Sequence, residues 1–259
     1  MRLGDIKLMA LNYSMGDALT EITPITEIKG RGIKTLEGAG RVQGAGTEMY
    51  EEIRWSGIPA LLIPGMHRSS PFLDKRLRRL YSHHGAGDKI SAAYCAYKAF
   101  GYENFILSDV SANTVTIVVK EGKLIGGVDA ALGAPGLLQG PIDVDAIRKI
   151  DAGQISANEA FSTGGLLKGR KSVQEFLAAL RDGEADAVEV MDSLVLAVCM
   201  EISSLTILVE NCSAVILTGE IGSMEDPFNF ADAVGNCIDY PVYTPVSYTH
   251  LTLPTKRIV

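Results

Sequence analysis

The stretch Phe105–Gly136, FILSDVSANTVTIVVKEGKLIGGVDAALGAPG, decides the fold. Its first residues, Phe105–Leu107, form an apolar run too short for a helix, which predicts a buried strand that stops at Ser108-Asp109. Asn113–Val119 is rich in β-branched residues and predicts a second strand. A turn over Lys120–Lys123 follows, where Gly122 supplies the positive φ of a tight hairpin, and Leu124–Ala130 returns as a third strand. Polar side chains (Ser108, Asp109, Ser111, Asn113, Thr114, Thr116) crowd the first turn. Hydroxyls and backbone N–H groups around one carboxylate suit a phosphate with its Mg²⁺. An ordinary polar β-turn accounts for the same residues.

Downstream, capping patterns at Ser156–Glu159 and Ser172–Glu175 start short helices, and Gly153 and Gly183 stop two. A long helix is predicted over Ala185–Val209, with apolar residues at helical spacing from Ala187 to Leu208, packed on the sheet. Ala214–Leu217 then reads as a buried strand ending in Thr218-Gly-Glu-Ile-Gly-Ser223.

Upstream, Ile6–Tyr13 predicts a strand that ends at Ser14–Asp17. Asp17 there is a base, a Mg²⁺ contact or a turn cap. Ile33–Leu36 reads as a short strand, and a loop with Gly38, Gly40 and Gly44 leads to a helix over Thr47–Ser56 and a strand over Ala60–Ile63. No acidic residue follows that strand to hold a ribose, so the glycines suit a cleft lining or a plain flexible loop better than a dinucleotide site. His67 and Arg68 stand there instead. At a strand C-terminus they suit a general acid/base and a fork for carboxylate or phosphate, or merely surface charge. Asp74–Arg79 reads as a solvated helix face. His83 and His84 are adjacent and point different ways, which makes a poor metal pair. Asp88 is expected to cap a helix over Lys89–Phe100 that Gly101 ends, and the domain boundary is set at Gly101.

The strand, acidic turn and threonine-rich hairpin resemble the second phosphate motif of the superfamily of acetate kinase, sugar kinases, heat-shock chaperones and actin. More closely, Ser108–Phe161 resembles methanogenesis marker protein 12, an archaeal family related to predicted butyrate kinases. Asn12–Asp17, Leu62–Arg68 and Leu80–His83 fit that family too. The resemblance implies an α/β chain of two actin-like ATPase (ribonuclease H-like) domains with mixed sheets, over residues 1–101 and 102–245, the first truncated at its start. It implies ATP and Mg²⁺ as cofactors and phosphoryl transfer to a small molecule such as a carboxylate. By the resemblance, Asp109 positions Mg²⁺ or its water, and Ser108, Ser111, Asn113 and Thr114 bind phosphates. Thr218, Gly219, Glu220, Gly222 and Ser223 form an adenosine motif. His67, Asp17 and Arg68, with Gly38 and Gly40, serve the acceptor. Two other outcomes stay open: an ATP-driven switch acting on a methanogenesis enzyme as partner, and a nucleotide-free structural module on the same fold.

The chain has 259 residues, 47% of them hydrophobic, enough for a full core. A formal charge of −7 and a pI of about 5.2 do not favour nucleic acid or an anionic membrane as partners. Ser193–Val209 is the most apolar stretch. It is short for a membrane span and carries Glu201, so a buried helix is expected. Cys95, Cys199, Cys212 and Cys237 form no CxxC pair and are expected to be reduced, buried thiols of a cytoplasmic protein. Val246–Thr255 looks like a translated sequencing adapter, so 246–259 is read as an artefactual tail. The superfamily's first phosphate turn, Gly-x-Asp-x-Gly-Thr, is not found before Ile6. The chain is therefore expected to be a fragment, inactive as it stands.

Overall fold

The computed structural model describes residues 6–13, 19–32, 45–168 and 172–245. The first sheet is small. Strand β1 (Met9–Asn12) is followed by β2 (Thr23–Pro24), helix α1 (Ala45–Trp55) and β3 (Ala60–Ile63). β3 is central, parallel to β1 and antiparallel to β2. Ile25, Ile28, Tyr50, Ile53, Ala60 and Leu62 form its own buried cluster.

Next, β4 (Met66–His67) pairs with β5 (His83–Gly85) across α2 (Lys75–Leu80), whose N-cap Asp74 accepts the Arg76 N–H. Helix α3 (Gly87–Phe100) follows and ends at Gly101 in the left-handed region. The cap of α3 differs from the expected Asp88. Ala86 occupies the N-cap with no side-chain bond, and Asp88 lies inside the first turn, paired with Lys89 at 2.8 Å.

The second sheet contains the hairpins that the sequence predicts. β6 (Phe105–Val110), β7 (Thr114–Lys120) and β8 (Lys123–Val128) run antiparallel. Glu121 and Gly122 both have positive φ in the connecting turn, 52° and 68°, which suits the twist of the flanking strands. β6 runs on past the expected stop at Ser108-Asp109 to Val110. Helices α4 (Val144–Asp151), α5 (Ala157–Ser162) and α6 (Val173–Arg181) start at Asp143, Ser156 and Ser172, each side chain accepting a first-turn N–H. The long α7 (Ala185–Leu205) leads to β9 (Ala214–Thr218), α8 (Gly219–Gly222), α9 (Phe230–Gly235) and β10 (Val242–Tyr243). The strand order is β10-β9-β6-β7-β8, with β9 parallel to β6 and β10 parallel to β9.

Helices cover both faces of this sheet, so β6, β7 and β9 are buried almost throughout. Alternation decides which core each residue enters. Ile106, Val110 and Val118 pack with Met191, Leu194, Val198 and Ile202 of α7. Phe105, Leu107, Val115 and Ile117 pack with Ala92, Ala93 and Ala96 of α3 and with Met66. Each fully buried leucine or isoleucine contributes roughly 1.5–3 kcal/mol, so α7 is held mainly by this face. Ala185–Leu208 is long and apolar enough to cross a membrane by length and composition. Its inner face meets protein instead. Residues on both sides of Gly101 share one core, and the change from one core to the other falls near Pro64.

Candidate functional site

The first turn of α3 sits where the two sheets come together. On one side are the C-terminal ends of the parallel pair β1 and β3. Asn12 exchanges hydrogen bonds with the Ser91 hydroxyl at 3.0 and 3.2 Å. Gly87 lies so close to the Ile63 and Pro64 carbonyls that a Cβ there would overlap them. On the other side are the C-terminal ends of β6 and β9, which carry Asp109 and Thr218 directly across from each other. The Lys89 ammonium donates to Asp109 Oδ1 at 3.0 Å, and the Thr218 hydroxyl donates to Asp109 Oδ2 at 2.9 Å. Burial opposes the Lys89 charge, but Asp109 and Asp88 outweigh it and hold its pKa above the ordinary value. Carboxyl ends of parallel strands are where open α/β sheets bind ligands.

The turn after β6 is tied to α8. Ser111 Oγ accepts the Glu220 N–H at 3.0 Å, and Ser223 Oγ donates to the Gly219 carbonyl at 2.5 Å. Gly219 has φ 89°, and a Cβ on it would strike Ser111 Oγ and the Val110 carbonyl. Gly219→Ala is therefore expected to cost about 1–3 kcal/mol and to loosen the Ser111–Glu220 contact. Denaturant unfolding checks the first effect, and an unchanged midpoint would refute it.

Not every expected phosphate ligand faces outward. Ser108 and Thr116 are directly opposed in the β6–β7 ladder and bond to each other at 2.8 Å inside the sheet. Thr114 donates to the Pro135 carbonyl at 2.9 Å, and Asn113 donates to Gln139 Oε1 at 3.1 Å. Gly222 is buried behind Val110, away from the rim. Ser111, Asn113, Gly219, Glu220 and Ser223 keep positions at the rim, and Asp109 forms its floor. Asp17, Gly38 and Gly40 lie outside the described residues.

The histidines also rearrange the expected picture. His67 is buried, and its ring meets His83 edge-on at 4.9 Å. Arg68 uses its backbone N–H on the Ser82 carbonyl, and its side chain is exposed. His83 Nδ1 bonds Asp129 Oδ2 at 2.7 Å. Burial pushes the Asp129 carboxyl up, but the His83 bond and charge prevail and hold it below its usual range. His84 donates from Nδ1 to the Gly127 carbonyl, and burial lowers its pKa, so it stays neutral. Its Nε2 has no partner among the described residues. A histidine held by a carboxylate in one tautomer is a competent acid/base pair.

Sequence reasoning missed Lys89, Asp129 and Glu201. Glu201, on α7, accepts the Ala134 N–H at 2.6 Å, near Thr116 and within reach of the Asp129 charge. For Lys89 a signal existed: Asp109 shares the parity of Phe105 and Leu107, so it had to face the helix now seen as α3. No group of three or more metal-ligating side chains occurs among the described residues.

No family model matches the chain. It is 46% identical over 248 residues to the UPF0285 protein of Methanocaldococcus jannaschii, covering 93% of this chain and 76% of that protein. Over 261 residues it is 41% identical to the UPF0285 protein of Methanothermobacter thermautotrophicus, covering 98% and 78%. Among solved structures it resembles an acetate kinase from Entamoeba histolytica, with TM-score 0.62 and 12% identity over 88% of this chain. It also resembles a propionate kinase from Francisella tularensis, with TM-score 0.61 and 17% identity over 90% of this chain. The chain spans 65% of that acetate kinase and 67% of that propionate kinase. At such identities the likeness is one of fold, the mixed-sheet α/β fold of actin-like ATPases.

Proposed function

The chain belongs to the archaeal UPF0285 protein family, and from the site between its sheets we propose that it is an ATP-binding phosphotransferase acting on a small carboxylate. The acetate and propionate kinases of like fold support the reaction class. The resemblance of Ser108–Phe161 to methanogenesis marker protein 12 supports a role beside methanogenesis. One observation carries the reading: Lys89, from the first turn of α3, meets Asp109 at the carboxyl ends of two parallel strands.

The donor set suits a nucleotide phosphate and its Mg²⁺. Asp109 would hold the ion through water, beside Ser111, and Mg²⁺ would neutralise phosphate charge. Lys89 adds a second, fixed cation. Gly219 and the exposed Glu220, at the start of α8, would take the adenosine. His83, held in one tautomer by Asp129, would accept or return a proton on the acceptor side. Such a site works by positioning and charge.

Asp109→Ala is the test. It removes a charge-assisted contact worth roughly 1.5–3 kcal/mol, or about a tenfold or greater loss of affinity for Mg²⁺–ATP by calorimetry. A second reading is favoured by the two bonds that already occupy both oxygens of Asp109: a structural module in which the ion pair only ties α3 to the sheet. Unchanged nucleotide affinity in Asp109→Ala, in a folded protein, would choose that reading.

A further inference from the structure

The outer side of α7 meets the end of α9 at a cavity of about 550 Å³, lined in part by Val195, Cys199, Met200 and Cys237. Two thiols share it. Cys199 Sγ lies 4.0 Å from the Val234 carbonyl, and the Cys237 backbone N–H donates to that same carbonyl at 2.9 Å. Cys237 is thus a near neighbour of the Cys199 thiol. Cys199 is buried and Cys237 is exposed. Cys95 and Cys212 are elsewhere: Cys95 is on α3, and Cys212 precedes β9 and bonds the Ala214 carbonyl at 3.4 Å.

We propose that Cys199 and Cys237 are an oxidisable dithiol that closes to an intrachain disulfide. The surface and core positions divide the roles. Burial, and then the neighbouring Cys237, push the Cys199 thiol up to about 12, so Cys199 stays protonated and Cys237 is the thiol that reacts first. A low-molecular-weight disulfide is the oxidant. The Cys237 thiolate attacks one of its sulfurs, forming a mixed disulfide and releasing one small thiolate. Cys199 then gives up its proton and attacks the Cys237 sulfur, which releases the second small thiol. Two protein thiols lose two electrons and two protons, and one small disulfide becomes two small thiols. The second step is intramolecular, so proximity offsets the small thiolate fraction of Cys199. The loop that the bond closes contains β9 and α8, and with them Thr218 and Gly219. Oxidation therefore staples the segment that carries the adenosine-like motif, whatever ligand that motif takes.

The experiment is incubation of the full chain with oxidised glutathione, followed by mass measurement and peptide mapping. The expected product lacks two hydrogen atoms, joins the Cys199 and Cys237 peptides, carries no glutathione, and regains its starting mass with dithiothreitol. Its melting temperature should rise by about 4–10 °C over the reduced chain. Cys237→Ser, at an exposed position, should abolish the product. Cys199→Ala should leave a stable glutathione adduct on Cys237; if that variant does not fold, Cys237→Ser still decides. A lasting glutathione adduct on Cys237 in the unaltered chain, a link through Cys95 or Cys212, or no reaction overturns the proposal.

Discussion

Lys89→Met should lower the free energy of unfolding by about 3–5 kcal/mol, because it strands a buried carboxylate. The side chains of Lys89 and Asp109 are only 13% and 12% exposed. Methionine keeps most of the volume and removes the ammonium, leaving Asp109 with the Thr218 hydroxyl alone. With its side chain 12% exposed, Asp109 has little water to take the place of the ammonium. Removing both charges should cost far less. The double variant Lys89→Met/Asp109→Asn is expected to recover most of the loss, since neither residue then brings a bare charge into the core. Urea unfolding at neutral pH measures all three variants. As a control, Arg148→Ala breaks a pair whose side chains are 74% and 79% exposed, and it should have little measurable effect. A loss below about 1 kcal/mol in Lys89→Met would mean that the pair is screened by water. The fixed cation that Lys89 is proposed to add to the phosphate site would then contribute little.

The Lys89–Asp109 pair also marks how far the sequence can be read. The hairpin from Phe105 to Val128 is legible because its signals are local: a run of β-branched residues, a Glu-Gly turn and polar breaks on either side. The α7 helix is legible for the same reason, since its apolar period persists across many turns. β2 and β10 are not, because each is two residues long and becomes a strand only by pairing with a longer neighbour. α8 and α9 are too short to carry a period. In the site, Asp109 and Thr218 could be named separately as strand-end residues, yet nothing local says that they share a hydrogen bond. That follows from the β6–β9 register. Nor do Ser108 and Thr116 announce that they satisfy each other inside the sheet, which the β6–β7 register imposes. Lys89 reads as one helix cation among others until α3 is laid across the sheet. Glu201 reads as an interruption in an apolar helix, and its role depends on a loop far from it in the chain.

Glu201→Gln should stabilise the protein above neutral pH, with an effect that fades as the solution is acidified. Glu201 is 8% exposed, and its Oε1 has no partner among the described residues. It sits inside the loop after β8. Oε2 accepts the Ala134 N–H, a Cβ on Gly133 would overlap the carboxylate, and Pro135 in the same loop accepts the Thr114 hydroxyl. Burial raises its pKa from 4.5 to about 7, helped by the Asp129 charge and only partly offset by Thr116 and Ala134. The sign follows from proton binding. Between pH 4.5 and about 7 the folded protein keeps a proton that the unfolded chain has lost, so stability falls as pH rises through this window and levels off above it. At about 1.4 kcal/mol per pH unit, the full loss is roughly 3 kcal/mol. Glutamine has the same shape, still accepts the Ala134 N–H through its carbonyl, and carries no charge at any pH. The variant should therefore match the parent near pH 4.5 and exceed it by roughly 2–3 kcal/mol near pH 8. Comparing the two chains cancels every other titrating group. Urea unfolding of both across this range is the measurement. A stability difference that does not change with pH would show that Glu201 is solvated or paired in the folded protein, and that this loop is not anchored on a buried, neutral carboxyl.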